Sequence, residues 1–154
     1  MTNRREFLKQ GTLVAGAIAA EAVAFFDRKL ARDFPFRRMQ AMQLASKMRY
    51  LAAQFSALLD DSLWLRSASH ANAMATRLAE GVSGLPGVEL RQPVDSNAVF
   101  VALTAALISA LQRDWGFDVW DPAENLVRWM TAFDTTEEDV DAFVAAVRAV
   151  AVAR

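Results

Sequence analysis

Apolar residues recur every three or four positions along residues 36–59 and again along residues 64–82, which is the spacing of a buried stripe on an α-helix. Pro35 suits the first turn of the earlier, long helix, because an N–H group is not needed there. Asp60-Asp61-Ser62 interrupts the pattern and can cap a second helix, which ends at the turn sequence of residues 83–87. The predicted buried side of this second helix is apolar: Trp64, Ala68, Ala71, Met74, Ala75, Leu78 and Val82.

The periodicity changes to that of strands after residue 87. Four segments predict strands, the first alternating and the second largely buried: residues 88–91, 98–103, 117–120 and 126–133. A short helix is predicted over residues 105–115, and a final helix starts at Thr135 or Thr136 with an acidic residue of a capping box three positions on. This order predicts an α+β fold, in which helices pack on one face of a small, mainly antiparallel sheet.

Composition excludes several classes of function. The 154 residues include no cysteine and one histidine, His70, which excludes disulfide scaffolds, thiol nucleophiles and multi-histidine metal sites. The net charge of −1 argues against a nucleic-acid partner. We expect no metal site, and we interpret His70 as a partly exposed helical residue.

Two other polar groupings have structural explanations. The pair Asp60-Asp61 and the three acidic residues 137–139 lie at positions where a helix favours negative charge. The three glycines of residues 81–87 end a helix instead of opening one, so they do not predict a phosphate-binding loop.

Two arginines are candidates for binding anions. Arg128 alternates with Val127 and Trp129 in an apolar strand, so it either points to solvent or is held for a carboxylate, which a guanidinium binds through two hydrogen bonds. Arg49 lies beside Lys47 on the predicted long helix, where it either contacts a phosphate or is solvated.

The chain begins with a distinct segment, predicted to comprise residues 1–24 and to precede a domain of residues 25–154. Arg4-Arg5 with Phe7, then a Gly/Ala-rich run, resembles a twin-arginine export signal. An ordinary N-terminal helix is the alternative. The apolar run is shorter than the roughly 20 residues that span a bilayer, so we expect no stable membrane anchor. The protein is periplasmic if the signal functions and cytoplasmic otherwise.

Several segments carry a further resemblance in their order and spacing: residues 20–27, 36–40, 43–49, 70–73, 85–88, 96–100, 127–130 and 134–139. Together they resemble the C-terminal part of a pyridoxal-phosphate-dependent enzyme of the threonine aldolase type, in the β-eliminating lyase group of fold type I. The resemblance implies the small C-terminal domain of that superfamily, preceded by the long helix that joins it to a large cofactor-binding domain.

The resemblance also implies a chemistry. Such enzymes use pyridoxal phosphate to cleave the Cα–Cβ bond of β-hydroxy-α-amino acids, giving glycine and an aldehyde. Arg128 matches the arginine that binds the substrate carboxylate. Arg49 matches an arginine that contacts the cofactor phosphate across a subunit interface. The implied partners are an amino-acid substrate and either further copies of the chain or a missing large domain.

Departures from the family pattern limit this prediction. The position of the Schiff-base lysine reads Gly-Thr-Leu-Val-Ala-Gly in residues 11–16, and Met39 stands where similar sequences have a lysine. None of the lysines, Lys9, Lys29 and Lys47, matches the cofactor position. We therefore predict a truncated threonine aldolase-like part that is inactive alone and does not hold pyridoxal phosphate by itself. The alternative is an exported, non-catalytic α+β binding or structural domain.

Overall fold

A computed structural model describes residues 25–44 and 46–153. They divide into two compact units, residues 25–63 and residues 64–153. The predicted export signal of residues 1–24 lies outside the described residues. No helix in the described part of the chain is long and apolar enough to cross a membrane.

Residues 25–63 form short helices. They are α1 (Arg28–Ala31), α2 (Phe34–Gln40) and α3 (Met48–Leu59), followed by a 3-10 turn (Asp60–Ser62). Pro35 lies in the first turn of α2, as its fixed φ angle predicts.

The prediction of one long helix over residues 36–59 is wrong. The chain leaves the helical conformation at Ala41, and Met42 has a φ angle of 54°, in the left-handed region. An α-helix of L-residues cannot continue through that conformation, so α3 begins only at Met48. The apolar spacing continues across the break because the spacing depends on the order of apolar side chains and not on backbone angles.

Residues 64–153 combine helices with a four-stranded sheet. The elements are α4 (Leu63–Val82), β1 (Val88–Leu90), β2 (Ala98–Leu103), α5 (Ala105–Leu111), β3 (Asp118–Asp121), β4 (Leu126–Met130) and α6 (Glu137–Val152). The strand order is β1-β2-β4-β3, and every pair is antiparallel. This confirms the predicted α+β class. Three elements end earlier than predicted: β1 at Leu90, α5 at Leu111 and β4 at Met130.

One face of the sheet forms the core with the helices. Alternate residues of β2 and β4 are buried, with Val101, Val127 and Trp129 at 0% exposure. The prediction that β2 is largely buried agrees with this pattern, since its residues alternate between buried and half-buried and none is exposed. The helices contribute Met74, Leu78, Val82, Leu107, Leu111, Val140, Phe143 and Val147 to the same cluster.

The buried side of α4 is shorter than predicted. Trp64 and Ala68 are exposed, whereas the predicted residues from Ala71 onward are buried. At its other end α4 approaches α6 closely, since a Cβ atom on Gly81 would lie 2.7 Å from Cγ2 of Val144.

The capping box of α6 is confirmed: Thr136 accepts a hydrogen bond from the N–H of Asp139, whose carboxylate accepts one from the N–H of Thr136.

Candidate functional site

Arg128 lies in the middle of β4, on the sheet face that does not form the core. Its neighbours Val127 and Trp129 are completely buried, and side chains alternate between the two faces of a strand. The Arg128 side chain retains 27% exposure. The guanidinium is therefore held against the sheet and still reaches solvent.

Asp118 of β3 lies directly opposite Arg128 in the strand register. The Arg128 Nη2 donates a hydrogen bond to Oδ2 of Asp118 over 3.1 Å. The sequence left open whether Arg128 points to solvent or is held for a carboxylate. In the structure it contacts a carboxylate of its own chain.

Trp120 covers one face of the same guanidinium. The Arg128 Cζ lies 4.5 Å from the centre of the Trp120 ring, which is the distance of a cation–π contact. Phe100 of β2 packs edge-on against Trp120 with ring centres 5.7 Å apart. An irregularity in the β3–β4 register between Val119 and Asp121 places Trp120 in a bulge, and bulges re-aim side chains.

The hydrogen-bonding capacity of Arg128 is only partly used. Its Nε is buried and has no hydrogen-bond partner among the residues that the structure describes. A guanidinium has five N–H donors that lie in its plane, and two of them can bind one carboxylate together. Because Nε is buried, a ligand arriving from solvent would have to bind at the terminal Nη groups, which is the end of the guanidinium that Asp118 contacts.

Arg49 has a different environment. It lies in the first turn of α3, is exposed, and places its Cζ 5.0 Å from the ring centre of Tyr50. Its Nη2 is also 3.3 Å from the Tyr50 hydroxyl. Arg49 belongs to residues 25–63 and Arg128 to residues 64–153.

The side chains of His70 and Thr131 make hydrogen bonds within the fold. Nε2 of His70 lies 2.7 Å from the carbonyl oxygen of Thr135, and a carbonyl can only accept, so this contact requires the proton on Nε2. The buried Thr131 hydroxyl donates to the carbonyl of Ala71 over 2.7 Å. These bonds tie α4 to the segment before α6. The described residues contain no group of three or more acidic or histidine side chains that would hold a metal.

The described residues do not fit a covalently held pyridoxal phosphate. An internal Schiff base needs a lysine amine inside a protected pocket. Lys29 and Lys47 are the described lysines, and both are exposed. A groove of about 700 Å³ along α6 and a smaller one of about 340 Å³ beside Gly87 are lined by neither lysine.

Sequence reasoning missed Asp118 and Trp120 as neighbours of Arg128. Their alternation with Val119 in β3 was visible, and so was the Asp121-Pro122 turn between two strands. The pairing depends on the register of the hairpin and on its bulge, which neither alternation nor the turn defines. The signal that could have found the site is the opposite charge of two polar positions in consecutive strands.

The fold and this site define a class of protein: an α+β domain with an arginine on the open face of an antiparallel sheet. One carboxylate of the same chain uses part of the hydrogen-bonding capacity of that arginine. No protein-family model matches the chain. Known proteins similar to it are threonine aldolases. A low specificity L-threonine aldolase from Pseudomonas sp. (strain NCIMB 10558) is 44% identical over 136 residues, which are 88% of this chain and 39% of that protein.

Two further comparisons agree. A low specificity L-threonine aldolase from Pseudomonas aeruginosa is 48% identical over 126 residues, which are 81% of this chain and 36% of that protein. A solved structure of Leishmania major threonine aldolase has a TM-score of 0.60 and 30% identity, covering 66% of this chain and 30% of that one. The homologues of this chain are thus threonine aldolases, and the chain spans less than two fifths of the length of the two Pseudomonas proteins. They imply pyridoxal phosphate dependence in the family.

Proposed function

We propose that this chain supplies the carboxylate-binding C-terminal domain of a pyridoxal-phosphate-dependent lyase, which cleaves β-hydroxy-α-amino acids to glycine and an aldehyde. The observation that carries the proposal is Arg128, whose guanidinium lies at the open sheet face with 27% of the side chain exposed and with Asp118 as its carboxylate contact. The similarity to threonine aldolases over most of the chain supports it. It also accounts for the poor fit of the described residues to a covalently bound cofactor.

Each arginine has a stated task in this proposal. Arg128 binds the substrate carboxylate through two parallel hydrogen bonds, which fixes the orientation of the amino acid as well as its position. Arg49 contacts the cofactor phosphate across a subunit interface in a homo-oligomer. In this proposal the lysine that anchors pyridoxal phosphate comes from a large domain, which is supported by the exposure of Lys29 and Lys47, the described lysines.

A chimeric enzyme tests the domain's function. The matching part of the Pseudomonas aeruginosa relative is replaced by residues 25–154 of this chain, and acetaldehyde release from threonine is measured. We expect activity, and we expect Arg128→Ala to lower kcat/KM by about 100-fold, since two charge-assisted hydrogen bonds are lost. Arg113→Ala is the control, because Arg113 is exposed on a different segment. Equal activity of the Arg128 and Arg113 variants would contradict the proposal.

The full chain by itself distinguishes a domain from a complete enzyme. We expect an absorbance titration with pyridoxal phosphate, followed by borohydride reduction and peptide mapping, to give no stoichiometric lysine adduct. A single adduct at one lysine, together with acetaldehyde release from threonine, would instead show that this chain is an enzyme on its own. Activity of the chimera without activity of the full chain supports the proposed domain role and argues against a non-catalytic binding protein.

We further propose that Arg4-Arg5 directs export of the chain. The support is the order of residues at the start of the sequence, with paired arginines before Phe7 and a weakly apolar run. A fusion of residues 1–30 to a folded reporter should leave the cytoplasm. Replacement of both arginines by lysine should stop export, because the receptor recognises guanidinium groups. Unchanged export of the lysine variant, or retention of the original fusion, would refute this proposal.

A further inference from the structure

Arg77, Arg91 and Arg128 each form ion pairs within residues 64–153, and they differ in how many carboxylates they contact. Arg77 contacts the carboxylates of both Asp141 and Glu137, and Arg91 contacts those of both Glu89 and Glu124. Arg128 contacts the carboxylate of Asp118. Arg128 is also the least exposed of the three, with 27% side-chain exposure against 41% for Arg77 and 39% for Arg91.

Two neighbouring side chains contact different parts of the Arg128 guanidinium. Trp120 covers a face of the guanidinium, and Asp118 takes a position at its edge through Nη2. Nε is buried without a hydrogen-bond partner in the described part of the chain. Because Nε is closed to solvent, an incoming carboxylate would have to bind at the terminal Nη groups, beside the Asp118 carboxylate that already neutralises part of the charge.

A second carboxylate on the same guanidinium would lie close to the first. Two negative charges within about 5 Å repel each other, and the repulsion is stronger beside a half-buried sheet than in bulk water. Asp118 also uses one of the donors that a ligand would use. Both effects weaken the binding of an incoming carboxylate.

We propose that Asp118 is a tethered competitor for the carboxylate that Arg128 binds. In the absence of substrate, Asp118 holds the guanidinium against Trp120 at the edge of β3; when a carboxylate arrives, the two share or exchange the donors of Arg128. Asp118 thereby sets the affinity of the site and keeps weakly held anions out. The inference rests on the proposed carboxylate-binding role of Arg128.

An acetate titration of the full chain tests this role. The chain is labelled with ¹⁵N, chloride is exchanged for acetate at constant ionic strength, and the indole N–H of Trp120 and the Nε–H of Arg128 are followed by NMR. Asp118→Asn removes the charge and keeps the shape. Asp121→Asn is the matched control, because it removes the same charge from the same strand. Its amide oxygen retains the hydrogen bond that Asp121 Oδ1 accepts from the N–H of Ala123.

We expect Asp118→Asn to bind acetate about 3- to 30-fold more tightly than the unsubstituted chain, from the charge repulsion removed. Asp121→Asn should leave the affinity within about twofold, since the charge it removes does not contact Arg128. Arg128→Ala should abolish the acetate-dependent change of the Trp120 indole signal, both in the otherwise unsubstituted chain and in the Asp118→Asn chain. If Asp118→Asn does not fold, Asp118→Ala takes its place with the same expectation.

The outcomes separate this inference from the proposed function. Equal or weaker acetate binding by Asp118→Asn, with a response that still depends on Arg128, would overturn the competitor role and leave the carboxylate role of Arg128 intact. The absence of any Arg128-dependent response in every variant would overturn both. Tighter binding by both asparagine variants would show a general charge effect and would also overturn the specific role of Asp118.

Discussion

Residues 25–63 and residues 64–153 carry similar apolar patterns and use them differently. In residues 64–153 the apolar stripes of α4 and α6 meet one face of the sheet and are buried. In residues 25–63 none of the described residues is buried. Large apolar side chains remain exposed there: Phe26, Leu30, Phe36, Met39, Met42, Leu44, Met48, Tyr50 and Leu59.

The difference shows what periodicity predicts and what it does not. Helical spacing identifies the apolar side of a segment but not the surface that covers it. Isolated helices shorter than about 12–15 residues are marginal in water, and α1, α2 and α3 have 4, 7 and 12 residues. We therefore expect residues 25–63 to contribute little to the stability of the chain unless a partner covers their apolar side.

The largest expected effect contrasts two phenylalanines. Phe143 of α6 is completely buried and packs edge-on against Trp129 with ring centres 5.0 Å apart, whereas Phe36 of α2 is 67% exposed. Phe143→Ala should lower the free energy of unfolding by about 3–5 kcal/mol, because it removes buried area and leaves a cavity. Phe36→Ala should change it by less than about 0.5 kcal/mol. Urea denaturation of both variants measures the two changes in unfolding free energy. Equal losses would contradict the difference between the two regions.

A smaller effect is expected at the contact between α4 and α6. A Cβ atom on Gly81 would lie 2.7 Å from Cγ2 of Val144, too close for undisturbed packing. Gly81→Ala should therefore reduce the free energy of unfolding by about 1–3 kcal/mol, despite the better helix propensity of alanine. Adding Val144→Ala should recover part of that loss. A stabilised Gly81→Ala variant would mean that the two helices separate without penalty.

The elements predicted from sequence are those with local signals. A capping box at Thr135 or Thr136 and the stripe from Val140 to Val150 predicted α6, and the structure places its N-cap at Thr136. The break at Met42 was not predictable from the stripe, because a left-handed residue interrupts the backbone without changing the apolar spacing. Alternation placed Arg128 on the open face of β4, but its partner Asp118 follows from hairpin register and a bulge, which arise when the strands pair.

Self-association tests whether the exposed side of residues 25–63 needs a partner. Exposed apolar patches beyond a few hundred Å² mark interaction surfaces or aggregation sites. We expect concentration-dependent sedimentation of the full chain. Met39→Lys together with Leu59→Lys should raise the dissociation constant about 10-fold, which is about 1.4 kcal/mol. Phe133→Lys is the control, since Phe133 is an exposed aromatic residue of the other region. A chain that stays monomeric at high concentration would refute this prediction.

The smallest expected effect is a pH-dependent one at the surface of residues 64–153. Arg77 of α4 donates to both oxygens of Asp141 on α6, with Nε–Oδ1 at 2.9 Å and Nη2–Oδ2 at 2.8 Å. The hydrogen bond from Arg77 holds the pKa of Asp141 below its ordinary value of 3.8, and the charge of Arg77 acts in the same direction. Because the folded carboxyl group binds its proton less readily than the unfolded one, the pair stabilises the fold at neutral pH.

That stabilisation is lost as the pH falls from the ordinary carboxyl range through the lowered pKa of Asp141. Asp141→Asn should therefore reduce the urea midpoint at pH 7, and the gap to the unsubstituted chain should close on acidification. The gap should also shrink in high salt, because exposed ion pairs are screened. Asp114→Asn removes a charge from another exposed position and serves as the control. A gap that persists after Asp141 is protonated would show that the carboxylate stabilises α6 through packing and not through its pairing with Arg77.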